Sequence, residues 1–413
     1  MKSVLLSPRG FSECRACGNQ NLSSILDLGS QPLPSEYANT ANEVLDIFPL
    51  HLKICPICSL GQLGEYVLPE RIFHNTYPYI SSASITWLQH CKTFANEIKE
   101  RLDLKPSDLV IELASNDGYL LTNFFELGVR VLGVEPSLNV AKISEKKGIP
   151  VINEFFGAAL AKEIVKEYGH PKLIIANNVL AHVPDINDFT SGMSILANKS
   201  TLISIENPSF ANLLKLTLFD TIYHEHYSYL SVHSVRTIAK LHGLELFHVE
   251  KLSTHGGSNR YWLSKDRKYD DTVTKLSQEE VDNGLFNSTE WANFAKRVNT
   301  SLEGFRQWLS EKKRDGAVVA AYGAAHKGNT FLNSVGAVAK QILYAVDASE
   351  EKQGKFLPGS QIPVFEPQYL MRNQPTDILI LPWNIAPELA SHAKKMLPTV
   401  RIWIAQPQMK LLE

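Results

Sequence analysis

Between residues 223 and 229 the chain runs Tyr-His-Glu-His-Tyr-Ser-Tyr, which sets Tyr223, His224, Glu225, His226 and Tyr227 within five positions. That density of acid–base side chains is unusual in a purely structural element. An imidazole with an ordinary pKa near ~6.5 accepts a proton at neutral pH and can return it. His-Glu-His could also ligate metal. In an extended segment, however, alternation leaves only His224 and His226 on one face, one ligand short of a catalytic zinc triad. A further polar candidate, His182, lies in Asn-Val-Leu-Ala-His-Val-Pro-Asp, just past a strand pattern and before Pro184, and so at the mouth of a sheet. Core packing competes with chemistry for any one of these histidines, and Tyr227 and Tyr229 read as packing.

Cysteine supplies a second chemistry. Cys14 and Cys17 form one C-x-x-C, Cys55 and Cys58 another, and 37 residues separate the pairs. Two such knuckles place four thiolates at tetrahedral corners, the geometry of closed structural zinc sites. The residues that follow, Gly18 and Ser59, suit tight turns. A redox dithiol or four unrelated core cysteines are the alternatives. With four protein ligands no coordination position stays open, so Zn²⁺ here would hold structure and do no chemistry. Cys91 has no partner by spacing and reads as a small buried side chain.

The elements that must position these groups follow from periodicity. At 413 residues the chain is long enough for two to four domains. Residues 1–75 form the zinc-binding domain, rich in turns. An amphipathic helix over 85–102 leads into alternating strands and helices: strands at 109–113, 129–135, 171–180 and 201–208, with helices at 121–128 and 138–147. That alternation predicts a parallel sheet covered on both faces. Residues 76–254 are the middle domain. After a passage through 255–270, a polar, helix-prone, linker-like stretch leads to a second α/β unit with strands near 317–325, 341–347, 376–382 and 400–405; together they make a C-terminal domain over 255–413. The fold class is α/β throughout, with the zinc module in front.

A ligand site is expected where the strands end. The first strand closes on Glu112-Leu113-Ala114-Ser115-Asn116-Asp117-Gly118, a small-residue loop that lacks the G-x-G-x-x-G of dinucleotide sites. It resembles motif I of class I S-adenosylmethionine (SAM) methyltransferases. Glu112, Ala114, Asn116 and Gly118 are thus cofactor candidates. Glu135, after the second strand, is placed to accept both ribose hydroxyls, and Asn177 and Asn178 to meet the methionine portion. NAD in place of SAM stays open at this point. In the C-terminal unit Tyr-Gly-Ala-Ala-His-Lys-Gly-Asn-Thr repeats the strand–turn–helix arrangement. There Gly323, Lys327 and Asn329 are substrate-binding candidates, the lysine charge suiting a diphosphate, and Asp347 begins a loop that could close over it.

Composition narrows the partners. Forty-one basic against 43 acidic residues leave a charge of −2, which gives no support to a nucleic-acid or anionic-membrane binder. Apolar runs fall far short of the ~20 residues that cross a bilayer. The opening MKSVLLSPRG reads as neither signal peptide nor anchor, so the expected location is cytoplasmic, and a monomer is expected for a three-unit chain.

Taken together, CRAC…CPIC, IELASNDGYLL, YHEHYSYLS and AYGAAHKGNTFLN resemble, end to end, the SAM-dependent sugar C-3′-methyltransferases that act on TDP-linked 4-keto-deoxysugars. The resemblance implies a class I SAM methyltransferase (Rossmann-like) middle domain and a Rossmann-like C-terminal domain. It implies that His226 is the base that takes the C3 proton, that Tyr223 and Glu225 belong to the same site, that Tyr79 (less so Tyr77) is the active-site tyrosine, and that His182 stands at the mouth. It also implies that Cys14, Cys17, Cys55 and Cys58 hold the zinc. An O- or N-methyltransferase of the same architecture, a NAD-linked nucleotide-sugar oxidoreductase or epimerase, and a zinc-bearing sugar-nucleotide binder without activity remain as rivals.

Overall fold

The computed structural model describes residues 9–10, 12–73 and 79–412; Tyr77 lies outside them. In the N-terminal module the strand Ile47–Ile54 alternates strictly, with Phe48, Leu50, Leu52 and Ile54 buried and their neighbours partly exposed, the pattern of a strand with one covered face. It pairs with Ser23–Pro32 on one side and Gly61–Leu63 on the other. The fourth strand of this sheet, Ser228–Tyr229, comes from 165 residues further along and pairs Ser228 with Gln62 and Tyr229 with Gly61. The zinc module therefore grips the segment that carries the histidines.

The helix Ile85–Arg101 starts where Ser84 accepts the Trp87 amide, and it buries Trp87, Cys91, Phe94, Ala95 and Ile98. Its apolar face covers the middle sheet. Numbered along the chain, the strands of that sheet are Leu109–Leu113, Arg130–Val134, Val151–Ile152, Leu173–Asn177, Leu202–Pro208, Glu245–Leu252 and Ser258–Ser264, and they lie in the order 3-2-1-4-5-7-6. All pairings are parallel except those of the seventh strand, which is antiparallel to both neighbours. Every residue of Leu109–Leu113 and Leu173–Asn177 is buried, as a sheet covered on both faces requires. The seventh strand, from the segment just after residue 254, completes this sheet.

The linker-like stretch is packed helix. Asp271–Asp282 sets Val273 and Leu276 into the core of the middle unit. The 27-residue helix Ser288–Arg314 sets Phe294, Val298, Leu302 and Phe305 against Leu50 and Leu52 of the zinc module and Phe331 of the C-terminal unit. Each such buried side chain contributes roughly 1.5–3 kcal/mol. The C-terminal sheet orders its strands Val319–Tyr322, Ala345–Val346, Val364–Phe365, Asp377–Ile380, Arg401–Ile404 and Lys410–Leu412 as 3-2-1-4-5-6, parallel except for the last. Among the described residues no helix is long and apolar enough to cross a membrane.

Candidate active site

Both sheets turn the carboxyl ends of their strands toward one cavity of about 1670 Å³. A single small-molecule site usually occupies roughly 300–1,000 Å³, so this space accommodates two ligands side by side. Its walls include Ala114, Asn116, Glu135 and Asn177 from the middle sheet, Tyr322, Gly323, His326 and Lys327 from the C-terminal sheet, and Tyr79, His182, Tyr223, Glu225 and His226 between them.

The histidine segment is a turn, not a strand: the His226 amide donates to the Tyr223 carbonyl at 2.9 Å. The expectation that His224 and His226 share a face is thereby overturned. His224 points into the zinc module, where its Nε2 lies 3.0 Å from the Phe48 carbonyl, while Glu225 and His226 face the cavity. His226 Nδ1 lies 2.8 Å from the Thr221 carbonyl. A carbonyl only accepts, so Nδ1 carries the hydrogen, and in the neutral ring Nε2 keeps its lone pair. Burial, reinforced by His182, pushes the His226 pKa well below its usual value. Burial likewise takes His182 down to about 4, with Glu225 opposing and His326 assisting. Both imidazoles are neutral at pH 7, with ring centroids 4.7 Å apart and planes at 74°.

Tyr223 lies over His226 at 3.9 Å between ring centroids. Burial holds its phenol well above the ordinary range, so it remains a donor. Glu225 is 1% exposed. Burial alone would raise its carboxyl, but His326, whose Nδ1 is 3.5 Å from Oε2, and His182 hold it at about 2. Glu225 therefore faces His326 and His182 rather than its sequence neighbour His226. Tyr79 is 48% exposed and lines the same space.

The cofactor candidates divide. Glu135 lines the cavity at the end of the second strand; Oε1 accepts the Ser137 amide (2.8 Å) and Oε2 the Asn116 amide (3.0 Å). Each oxygen keeps a lone pair for a ribose hydroxyl. Ala114 lines the cavity with φ of +58°, a left-handed conformation that costs a non-glycine residue roughly 1–2 kcal/mol. Asn116 spends its amide on the chain that covers the site, accepting from the Ser81 amide (2.9 Å) and donating to the Tyr79 carbonyl (3.3 Å). Asn177 lines the cavity with Oδ1 buried and without a protein partner. Glu112 and Gly118 do not line it. Glu112 is wholly buried beneath the loop, and burial pushes its carboxyl far up. Gly118, at φ +75°, leaves room for Ser144, whose Oγ would lie 2.5 Å from an added Cβ.

On the opposite wall Gly323, at φ +88°, lets Pro382 approach to 2.5 Å of where a Cβ would stand. Lys327 reaches the cavity with Nζ 2.8 Å from Asn384 Oδ1 and 4.6 Å above the Trp383 ring. Asp347 and the residues following it line the cavity too. Asn329 does not: it is fully buried and donates to the Pro34 carbonyl at 2.8 Å, tying this helix to the zinc module. Asn207 went unnoticed in the sequence. It is 1% exposed, lines the cavity, and neither its Oδ1 nor its Nδ2 has a protein partner. The only signal was its place at the end of the fifth strand, where ligands bind.

The four cysteines converge, with Sγ atoms all within 4.8 Å of one another, Cys14 and Cys58 at 3.5 Å and Cys17 and Cys55 at 3.6 Å. Tetrahedral zinc at ~2.3 Å from sulfur needs edges of about 3.8 Å, so the donor set fits that ion. Both knuckles turn alike: the Gly18 amide donates to the Cys14 carbonyl and the Ser59 amide to the Cys55 carbonyl, each at 2.9 Å, with φ of +73° and +54°. Cys91 is buried in the core of the middle unit.

Family models match each unit in turn: a zinc binding domain over residues 14–73, a methyltransferase domain over 87–249, and a C-methyltransferase C-terminal domain over 253–406. The C-methyltransferase NovU of Streptomyces niveus is 33% identical over 394 residues, 94% of either chain. Among solved structures, magnesium protoporphyrin IX methyltransferase from Synechocystis PCC 6803 with bound S-adenosylhomocysteine is 16% identical over 45% of this chain and 89% of that one, at a TM-score of 0.36. A SAM-dependent methyltransferase from Anabaena variabilis is 14% identical over 46% and 88%, also at 0.36. With its strand order, its thiolate cluster and a relative aligned along nearly its whole length, the chain belongs to the SAM-dependent C-methyltransferases that carry an N-terminal zinc-binding module.

Proposed function

We propose that the protein methylates C3 of a TDP-linked 4-keto-deoxysugar through a base-generated enolate. The observation that carries this reading is the His226 tautomer: a neutral imidazole locked by Thr221, with its basic nitrogen available where the two halves of the cavity meet. A ketone acidifies the adjacent C–H bond. His226 Nε2 takes that proton, and the bonding pair moves into the enolate. Tyr223, held protonated, donates to the developing oxyanion, with Tyr79 and His182 as the other donors in reach of the cavity. SAM, when bound, would supply an electrophilic methyl to the enolate carbon, its S–CH3 bond breaking so that neutral S-adenosylhomocysteine leaves and the C4 ketone re-forms. Glu135 would hold its ribose, and Ala114, Asn116 and Asn177 would flank the rest. Gly323 and Lys327 would receive the diphosphate of the sugar nucleotide.

The size of the cavity and its two-sided lining support a cofactor in the middle unit and a nucleotide sugar against the C-terminal unit. The absence of a dinucleotide glycine pattern after Leu113 argues against NAD. The reaction is a cytoplasmic, small-molecule one. Incubation of the protein with ¹³C-methyl SAM and TDP-4-keto-6-deoxysugars, followed by mass spectrometry and NMR, should show one added methyl on C3. A methyl found on oxygen or nitrogen, or no transfer to any such sugar, refutes the proposal.

A further inference from the structure

We infer that Arg15, inside the first zinc knuckle, is a positioning residue that couples the metal centre to the paired histidines of the cavity. It stands between the ligands Cys14 and Cys17. Its guanidinium leaves the knuckle and forks. One arm, Nη1, donates to the carbonyls of Val183 (3.0 Å) and Pro184 (2.7 Å), the two residues after His182. The other arm, Nη2, donates to the carbonyl of Tyr227 and to Ser228 Oγ (2.6 Å), the two residues after His226. One planar cation thus spans both loops whose imidazoles face each other at 4.7 Å.

The root of this side chain is fixed as firmly as its tip. The Arg15 amide donates to Gln62 Oε1 at 3.0 Å, and Gln62 Nε2 donates back to the Glu13 carbonyl at 3.1 Å. Gln62 is the residue paired with Ser228 in the zinc-module sheet. Asn187 Nδ2 donates to the Arg15 carbonyl at 2.8 Å. Four thiolates closed around one ion set the backbone on either side of Arg15, and a rigid five-donor fork transmits that placement. Lysine, a point charge on a flexible stem, reaches one loop at a time. The position of the His226 ring relative to substrate then depends on a metal that touches no substrate, and a displacement near 1 Å at a reacting group costs on the order of a hundredfold in rate.

The inference rests on His226 being the base, so the test has one arm that depends on that reading and one that does not. In the first, zinc-loaded Arg15→Gln and Arg15→Lys are compared with the wild type for zinc content, SAM affinity and the rate at which the C3 hydrogen of a TDP-4-keto-6-deoxysugar exchanges in D₂O. Arg15→Gln should keep one zinc per chain and bind SAM within about twofold of the wild type, yet lose roughly ten- to hundredfold in exchange. Arg15→Lys should fall between. An unchanged exchange rate in either variant with zinc retained overturns the inference, and Arg15→Lys decides if Arg15→Gln does not fold. No exchange by the wild type instead removes the reading of His226.

In the second arm, long-range ¹H–¹⁵N spectra of histidine-labelled protein follow the His182 and His226 ring nitrogens as zinc is withdrawn by a chelator. Those signals should shift in the wild type before unfolding, and should start displaced in Arg15→Lys and move little further. Wild-type ring signals that hold still until the protein unfolds overturn the coupling.

Discussion

Replacing His226 by asparagine removes the basic nitrogen and little else. The asparagine Nδ2 sits close to where Nδ1 stood and can keep the bond to the Thr221 carbonyl, now 2.8 Å long. That retained bond limits the stability change to about 1 kcal/mol. The lost Nε2 is another matter. A positioned general base contributes roughly 10²–10⁴ in rate, or about 3–5 kcal/mol at ~1.36 kcal/mol per decade. Burial and His182 hold His226 neutral well below its ordinary pKa, so the base is already available at pH 6 and the loss should be the same at pH 6 and pH 8. Single-turnover methyl transfer by His226→Asn, with SAM saturating, should therefore fall at least a hundredfold at both pH values, while SAM affinity, which we propose depends on Glu135 and its neighbours, should stay put. A variant within about threefold of the wild type would refute the assignment of the base.

Three further outcomes follow from the same geometry. Glu135→Gln replaces one of two acceptor oxygens by a donor that faces a backbone amide; hydrogen bonds to a charged group contribute ~1.5–3 kcal/mol each, so calorimetry should show SAM binding roughly ten- to hundredfold weaker, and an unchanged Kd would contradict the ribose assignment. Ala114→Gly relieves a left-handed alanine, and urea unfolding should show stability unchanged or raised by up to about 1 kcal/mol, whereas Ala95→Gly inside a helix should cost about 1 kcal/mol or more. His224 is 1% exposed and burial takes it down to about 4. Its contribution is complete above pH ~6.5 and drains away as pH falls toward 4, because only the unfolded chain takes up the proton, so about 2 kcal/mol is gone at pH 5. His224→Gln should flatten the acid limb of stability by that amount, and parallel curves for variant and wild type would refute it.

Much of this molecule was legible because its signals are local. The two C-x-x-C knuckles announce their turns through Gly18 and Ser59, and the strand that begins at Leu109 ends at Leu113, as its apolar run indicated. His182, Tyr223, Glu225 and His226 do meet at one cavity, with Tyr79 on its wall. What escaped is set by contacts distant in sequence. Nothing in Tyr-His-Glu-His reveals a turn that sends His224 toward Phe48 and Glu225 toward His326, because the partners lie 176 residues before the one and about a hundred after the other. Asn329 carries the right chemistry for a phosphate, yet its helix faces Pro34 on that side. Glu112 and Gly118 belong to the right loop, but strand alternation and the packing of Ser144 turn them inward. Arg15 carries no local signal of its role, since its four acceptors come from residues 183, 184, 227 and 228.

Proton abstraction from carbon is the step that separates this account from methylation of oxygen or nitrogen, and it is observable without transfer. Wild-type protein in D₂O, with S-adenosylhomocysteine filling the cofactor half of the cavity, should wash the C3 hydrogen out of a TDP-4-keto-6-deoxysugar, seen by proton NMR as loss of that one signal. A C3 signal that persists at full intensity, under conditions where the same preparation transfers methyl groups, would contradict the enolate and the role given to His226.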